Sequence, residues 1–199
     1  MKTLICDTST ETMFLVLVDN KSIYSSKEYI KLEHGKFLIN KIDNLLSSKG
    51  ISISEIDRFI IGIGPGSYTG LRISLMAFKM FVFSLNKPIY RISSLILLTS
   101  GYTNCIAANI NARRNCCFAI IRNKDKILYN ETYCTYDELE DLSKEHKAKI
   151  ITINNENIRF DINIVEKNLF LIEDISHVTP NYMRKTEAEE KNESNKKLF

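Results

Sequence analysis

Gly62-Ile63-Gly64-Pro65-Gly66-Ser67-Tyr68-Thr69-Gly70-Leu71-Arg72 is the stretch on which the fold turns. It holds four of the seven glycines and one of the three prolines in the whole chain. A chain so poor in glycine places it where the backbone needs positive φ or a close approach. The apolar run Phe59-Ile60-Ile61 precedes the stretch and the long apolar segment Leu71 to Leu85 follows it. The pattern reads as strand, tight turn, helix.

The segment after the turn is the second unusual feature. Ile73, Leu75, Met76, Ala77, Phe78, Met80, Phe81, Val82, Phe83 and Leu85 leave almost no continuous polar face. A helix apolar on nearly all sides is buried on more than one side. A sheet covers one side, and the other calls for a neighbouring helix or a second chain. The segment carries Arg72 and Lys79 and is shorter than the roughly 20 residues of a bilayer span, so no membrane is expected.

Working outward, Thr3 to Cys6, Met13 to Val18 and Ser22 to Tyr29 read as three antiparallel strands, with a hairpin at Asp19-Asn20. Leu38, Ile42, Leu45 and Leu46 recur at helical spacing, and Gly50 stops that helix. After the glycine turn and its helix come a strand from Pro88 to Ile92 and a helix capped by Ser93-Ser94. Strands are expected over Cys105 to Ile110, Cys116 to Ile121 and Lys126 to Tyr133, then a helix capped by Thr135 and a strand from Lys149 to Ile153. Beyond Asn154 only Leu169 to Ile172 reads as a strand. Two successive α/β units emerge, at 1–100 and 101–184, with a charged and disordered tail at 185–199.

Composition excludes several classes. Hydrophobic residues at 44% and charged residues at 26% are ordinary for a globular chain, and a net charge of +3 does not imply nucleic-acid binding. Cys6, Cys105, Cys116, Cys117 and Cys134 form no C-x-x-C pair, which suits reduced thiols in the cytosol. No secretory leader is expected, because Asp7 breaks the first apolar run. His34, His146 and His177 stand alone in sequence, and no metal site is visible.

Two readings of the glycine turn stay open. Backbone N–H groups ahead of a helix can hold phosphate, which would make Gly64, Gly66 and Ser67 contacts; alternatively the turn is purely structural. It is not a Walker A loop, since no Lys-Ser/Thr pair follows Gly70, and Thr69 spoils the dinucleotide fingerprint. Asp7, with Thr8 and Ser9 behind it, could orient a metal-bound nucleotide or close an Asx-turn. Arg72, Arg113 and Arg114 could touch phosphate, although surface or salt-bridged arginines are commoner.

Taken in order, Asp7-Thr8-Ser9-Thr10-Glu11, Glu33-His34, the block from Gly62 to Lys79, Pro88 with Ser93-Ser94-Leu95, and Asn111-Ala112-Arg113-Arg114 resemble the bacterial TsaB (YeaZ) family of tRNA threonylcarbamoyladenosine biosynthesis proteins. Pro180-Asn181-Tyr182-Met183-Arg184 looks like that family's C-terminal P-x-Y-L-R signature. The resemblance implies an α/β fold of the ASKHA type, two lobes akin to the actin and Hsp70 ATPase unit. It also implies a non-catalytic subunit that binds a TsaD-like catalytic paralogue and works with a TsaE-like ATPase, reaching tRNA only through the complex. A homodimer is the default when the partner is absent.

Family members meet the partner through the first two long helices of the N-terminal lobe. That points to Leu38, Ile42, Leu45, Leu71, Leu75, Phe78, Met80, Phe81 and Val82 as interface residues, with Phe83 beside them. No catalytic residue and no cofactor of its own are expected, and an ADP or ATP pocket completed only at the partner interface stays open. The catalytic paralogue binds metal through two histidines one helical turn apart, where this chain has Ser94 and Leu98. A free-standing ATPase, kinase or peptidase is the rival reading. Two departures stand out: Asn111 replaces the family's Asp, and little helical sequence separates Ile172 from Pro180, so the C-terminal lobe reads as reduced.

Overall fold

Strands whose apolar residues face both ways must lie in the middle of a layered structure. The first two strands are of that kind. In β1 (Lys2–Asp7) and β2 (Thr12–Asp19) every residue from Thr3 to Asp7 and from Thr12 to Val18 is buried. The computed structural model describes residues 1–31 and 33–183. The expected tail at 185–199 lies outside the described residues.

β1, β2 and β3 (Ser22–Tyr29) form an antiparallel meander, with Asn20 at φ 54° in the first hairpin. α1 (His34–Ser47) leads to β4 (Arg58–Gly62), which pairs parallel to β1 with Leu4 opposite Phe59. α2 (Tyr68–Leu85) then crosses back to β5 (Ile89–Ile92), parallel to β4. Ser67 caps the start of α2, and Asn86 ends it in the left-handed conformation.

A short α3 (Ser94–Thr99) joins the lobes. Its run Leu95-Ile96-Leu97-Leu98 is buried on every side, as a helix between two sheets must be. The second lobe repeats the opening of the first: a meander of β6 (Cys105–Asn111), β7 (Cys116–Asn123) and β8 (Lys126–Thr135), then α4 (Tyr136–Glu145) and β9 (Lys149–Thr152) parallel to β6. Thr135 and Glu138 form a capping box at the start of α4.

The repeat then breaks off. Where the first lobe has the 18-residue α2 and a further strand, the second has, among the described residues, only α5 (Ile162–Glu166), which the sequence pattern did not reveal. The chain next returns to the first lobe. β10 (Phe170–Leu171) pairs antiparallel with β5, giving one sheet in the order β10-β5-β4-β1-β2-β3 and another in the order β8-β7-β6-β9. Residues 170 to 183, assigned from sequence to the second lobe, therefore pack on the first. Ile172 and Ile175 belong to its core, with Val178 against it.

Three cores result. One lies between the first sheet and α1 and α2, holding Leu4, Leu15, Phe59 and Phe78. A second joins the two sheets around α3, where Ile5, Phe14 and Ile60 meet Ile106, Ala108 and Ile120. The third sits under α4. Arg122, 2% exposed, fastens the joint: its guanidinium donates to the Thr99 carbonyl at 2.6 Å and to the Lys124 carbonyl. By length and mean hydropathy α2 is apolar enough to cross a membrane; here one of its sides packs on the sheet.

What seats α2 on the sheet is the absence of a side chain at Gly70, in its first turn. A Cβ on Gly70 would stand 2.0 Å from the Thr8 carbonyl oxygen, and one on Gly62 would stand 1.8 Å from Asp7 Oδ2. At Gly70 the clash is with backbone, which leaves room for glycine alone; at Gly62 the buried Asp7 carboxyl would have to move. Gly70→Ala is expected to destabilise the chain by about 3 kcal/mol, because backbone must move. Gly35→Ala, whose Cβ would meet only Ile73 Cδ1 at 3.4 Å, should change stability by less than about 1 kcal/mol. Urea unfolding of the two variants checks the contrast.

Candidate functional site: the glycine turn and the outer face of the helix pair

The turn between β4 and α2 closes on the turn between β1 and β2. Ser67 N–H donates to the Ser9 carbonyl at 2.6 Å. Thr8 Oγ1 lies 2.8 Å from the Gly70 carbonyl and 2.8 Å from Ser74 Oγ. Asp7 Oδ1 accepts from Ser9 N–H at 2.8 Å and from Ser9 Oγ at 2.6 Å, the Asx-turn that the sequence left open. Gly64, at φ 102°, donates its N–H to Ser94 Oγ and accepts from Ser94 N–H.

The six candidate phosphate contacts are therefore brought together, but around one another. Asp7 and Thr8 are 0% exposed and Ser9 is 1% exposed. Gly64 is buried and Gly66 half-buried; Ser67 is exposed, with its hydroxyl accepting the Gly70 N–H at 3.2 Å as a helix cap. Close approach to its own chain accounts for the glycines. Burial holds the Asp7 carboxyl above its ordinary range, against the opposing effect of the Ser9 and Ser94 hydroxyls.

Ser94 is thus a structural hydrogen-bond partner, and Leu98 packs in the core between the sheets. Among the described residues no three His, Cys, Asp or Glu side chains converge as metal ligands would. His34 is buried at the start of α1, its Nε2 2.9 Å from the Thr10 carbonyl. At the Asn111-Ala112-Arg113 motif, Asn111 Oδ1 accepts from Arg113 N–H at 2.7 Å. Arg113, Arg114 and Asn115 follow with φ values of 66°, 52° and 58°. Asn111 makes an Asx-turn there, a role open to Asn and Asp alike.

The other candidate surface is the helix pair. Leu38 and Ile42 of α1 and Leu71, Leu75 and Phe78 of α2 face inward and are buried in the chain's own core. They are not available to a partner, which corrects their assignment as interface residues. Leu45, Phe81 and Val82 are half-buried and packed on the same core, Phe81 stacking on Phe59 at 5.9 Å. Of the nine assigned residues, Met80 alone is exposed, at 64%.

The outer face is built from others. Along α2, Tyr68, Arg72, Met76, Met80 and Phe83 follow at helical spacing, with Met76 63% and Phe83 66% exposed. Ile39 of α1 is 51% exposed as well. The sequence leaves the phase of α2 open because both of its sides are apolar. One signal was present: the small residues Gly70 and Ser74 mark the side pressed against Thr8, which puts Met76 and Met80 outside.

At the N-terminal end of this stripe the C-terminal segment returns. Asn181 N–H donates to the Ile63 carbonyl at 2.7 Å, and Tyr182 stacks on Tyr68 at 4.6 Å. Arg72 Nε donates to Tyr182 Oη at 2.8 Å while its guanidinium covers the Tyr68 ring at 4.2 Å. Glu131 of β8 accepts from Ser93 Oγ and, at 3.4 Å, from Asn181 Nδ2, so the same segment also touches the second lobe. A cavity of about 520 Å³ lined by Thr3, Val18, Lys21, Arg58 and Glu166 is formed by other residues.

Comparison with known proteins bears on what this arrangement serves. TsaB of Haemophilus influenzae, a tRNA threonylcarbamoyladenosine biosynthesis protein, is 28% identical over 114 residues, covering 55% of this chain and 48% of that protein. TsaB of Escherichia coli is 27% identical over 101 residues, covering 51% and 44%. TsaB of Buchnera aphidicola subsp. Schizaphis graminum is 33% identical over 92 residues, covering 46% and 44%. The chain spans about half the length of the curated relatives it matches. YeaZ from Pseudomonas aeruginosa superposes with a TM-score of 0.59 at 26% identity, covering 67% of this chain and 66% of that one. An uncharacterized protein with similarity to peptidase YEAZ from Pseudomonas aeruginosa superposes at 0.75 and 19% identity, covering 92% and 99%, a likeness of fold. The family model described as TsaD: tRNA N6-adenosine threonylcarbamoyltransferase matches residues 22–191. The chain belongs to the tRNA N6-adenosine threonylcarbamoyltransferase family, with TsaB proteins as its curated relatives.

Proposed function

We propose that this chain is a non-catalytic subunit of the threonylcarbamoyladenosine machinery, docking on a TsaD-like catalytic paralogue through the outer face of α1 and α2. The observation that carries the reading is the exposed stripe Met76, Met80 and Phe83 along α2. Methionine, aromatic and arginine residues are the types enriched where proteins meet. Each large side chain fully buried there is worth at most about 1.5–3 kcal/mol, discounted because these are partly covered already and because association costs entropy. The same face pairs two copies when the paralogue is absent. A TsaE-like ATPase joins the assembly, tRNA is reached through the complex, and the cytoplasm is where it works.

Met80→Asp with Phe83→Asp is expected to weaken pairing with the paralogue at least 100-fold while the circular dichroism and urea midpoint stay near wild type. Calorimetry of the two purified subunits reads it, and wild-type affinity in the double variant would exclude this face.

We propose further that any ADP or ATP site is completed only by the partner. The burial of Asp7, Thr8 and Ser9 supports this over a free-standing ATPase, kinase or peptidase. Magnesium and ADP should leave the melting temperature of the isolated chain unchanged, and a rise abolished by Asp7→Asn would favour the rival.

Asp7 also has a pH signature. Its carboxyl is raised on folding, so the stability it lends is full below pH 3.8, the ordinary value, and is lost as pH rises through the folded value. Asp7→Asn should lack that loss. Relative to wild type the variant gains stability as pH rises from about 4 to 7, measured by urea titration at each pH.

A further inference from the structure

The second lobe carries a groove that the docking face does not use. It runs between β8, the edge strand of its sheet, and α4, which folds back alongside. Tyr129 lies beside His146 just past the far end of α4, with ring centroids 6.1 Å apart, so helix and strand run antiparallel. The groove has a volume of about 390 Å³ and is lined by Tyr129, Thr132 and Tyr133 from the strand and Glu138, Asp141 and Glu145 from the helix. Tyr129 and Tyr133 are each 37% exposed, and Ile127 at the start of the strand is 41% exposed.

Three features of this groove agree. An edge strand presents a row of backbone donors and acceptors to which another extended segment can pair. Glu138, Asp141 and Glu145 follow at i, i+3 and i+7, one helical face about 10 Å long. Same-side residues of a strand lie about 6.8 Å apart, so two at i and i+2 fit within that length. Glu138 is held below its ordinary range by the Thr135 N–H and hydroxyl. Asp141 shares Lys144 at 3.3 Å, a pair exposed enough to yield to a better partner. Such a charge repels nucleic acid.

We propose that this groove receives an extended segment of a protein partner that carries lysine or arginine at alternate positions, adding a strand to β8 and setting its cations against α4. This inference does not rest on the α1 and α2 docking face.

The test is an NMR titration of the isotope-labelled full chain with a blocked nonapeptide of alternating lysine and valine. Shifts confined to residues 128–135 and 138–145 are expected. Asp141→Asn with Glu145→Gln, which leaves the capping Glu138 intact, should weaken binding about tenfold. Methylation of alternate peptide nitrogens should weaken it about as much, and a glutamate peptide should not bind. Equal binding of the glutamate peptide, or unchanged affinity in the double variant or for the methylated peptide, overturns the proposal. So does displacement of the peptide by oligouridine. Tighter binding after removal of residues 184–199, which include Lys185, Lys191, Lys196 and Lys197, would make the occupant the chain's own and overturn it too.

Discussion

The contact between the Thr8 carbonyl and the Cα of Gly70 sets the geometry of everything else. It presses the end of β1 against the first turn of α2, and no side chain fits between them. The angle at which α2 leaves the sheet follows from that seating. So does the sorting of its residues into an inner set of Leu71, Leu75 and Phe78 and an outer set of Met76, Met80 and Phe83. Thr8 and Ser74 reinforce it with hydroxyls buried inside the joint. Buried polar groups of this kind cost little when paired and much when not, so the joint tolerates few other sequences.

Several structural elements were legible in the residues because local rules and tertiary context agree there. Capping residues Ser67, Ser93 and Thr135 stand at the starts of their helices, and the strands of both meanders alternate or run apolar as their burial requires. Ser52 and Glu55 close a capping box on a short 3-10 turn, again as their spacing implies. The sequence puts the missing helix after Ile172, whereas the short connection lies earlier, between β9 and β10, where α5 alone intervenes.

Other features hid because they depend on partners far away in sequence. The return of Phe170–Leu171 to β5 is a pairing across some eighty residues, and two residues carry no periodicity. Asp7-Thr8-Ser9 and the glycine turn each looked like the makings of a nucleotide site. In the fold the two turns close on each other, which no sequence spacing shows. For Leu38, Ile42 and Phe78, apolar character alone could not say which side of a helix meets the sheet. Glu131, which ties Ser93 to Asn181, had no sequence signal, being an ordinary glutamate in a polar strand.

The two lobes began alike and ended differently. Among the described residues only the first has a long helix after its parallel strand; the second has α5, five residues long. Among the described residues, a long helical flank with exposed apolar side chains therefore stands on the first lobe and has no counterpart on the second. Under the docking proposed above, a contact through that flank would occupy it in both copies, and growth into rings or fibres through the same surface would be closed off by shape alone.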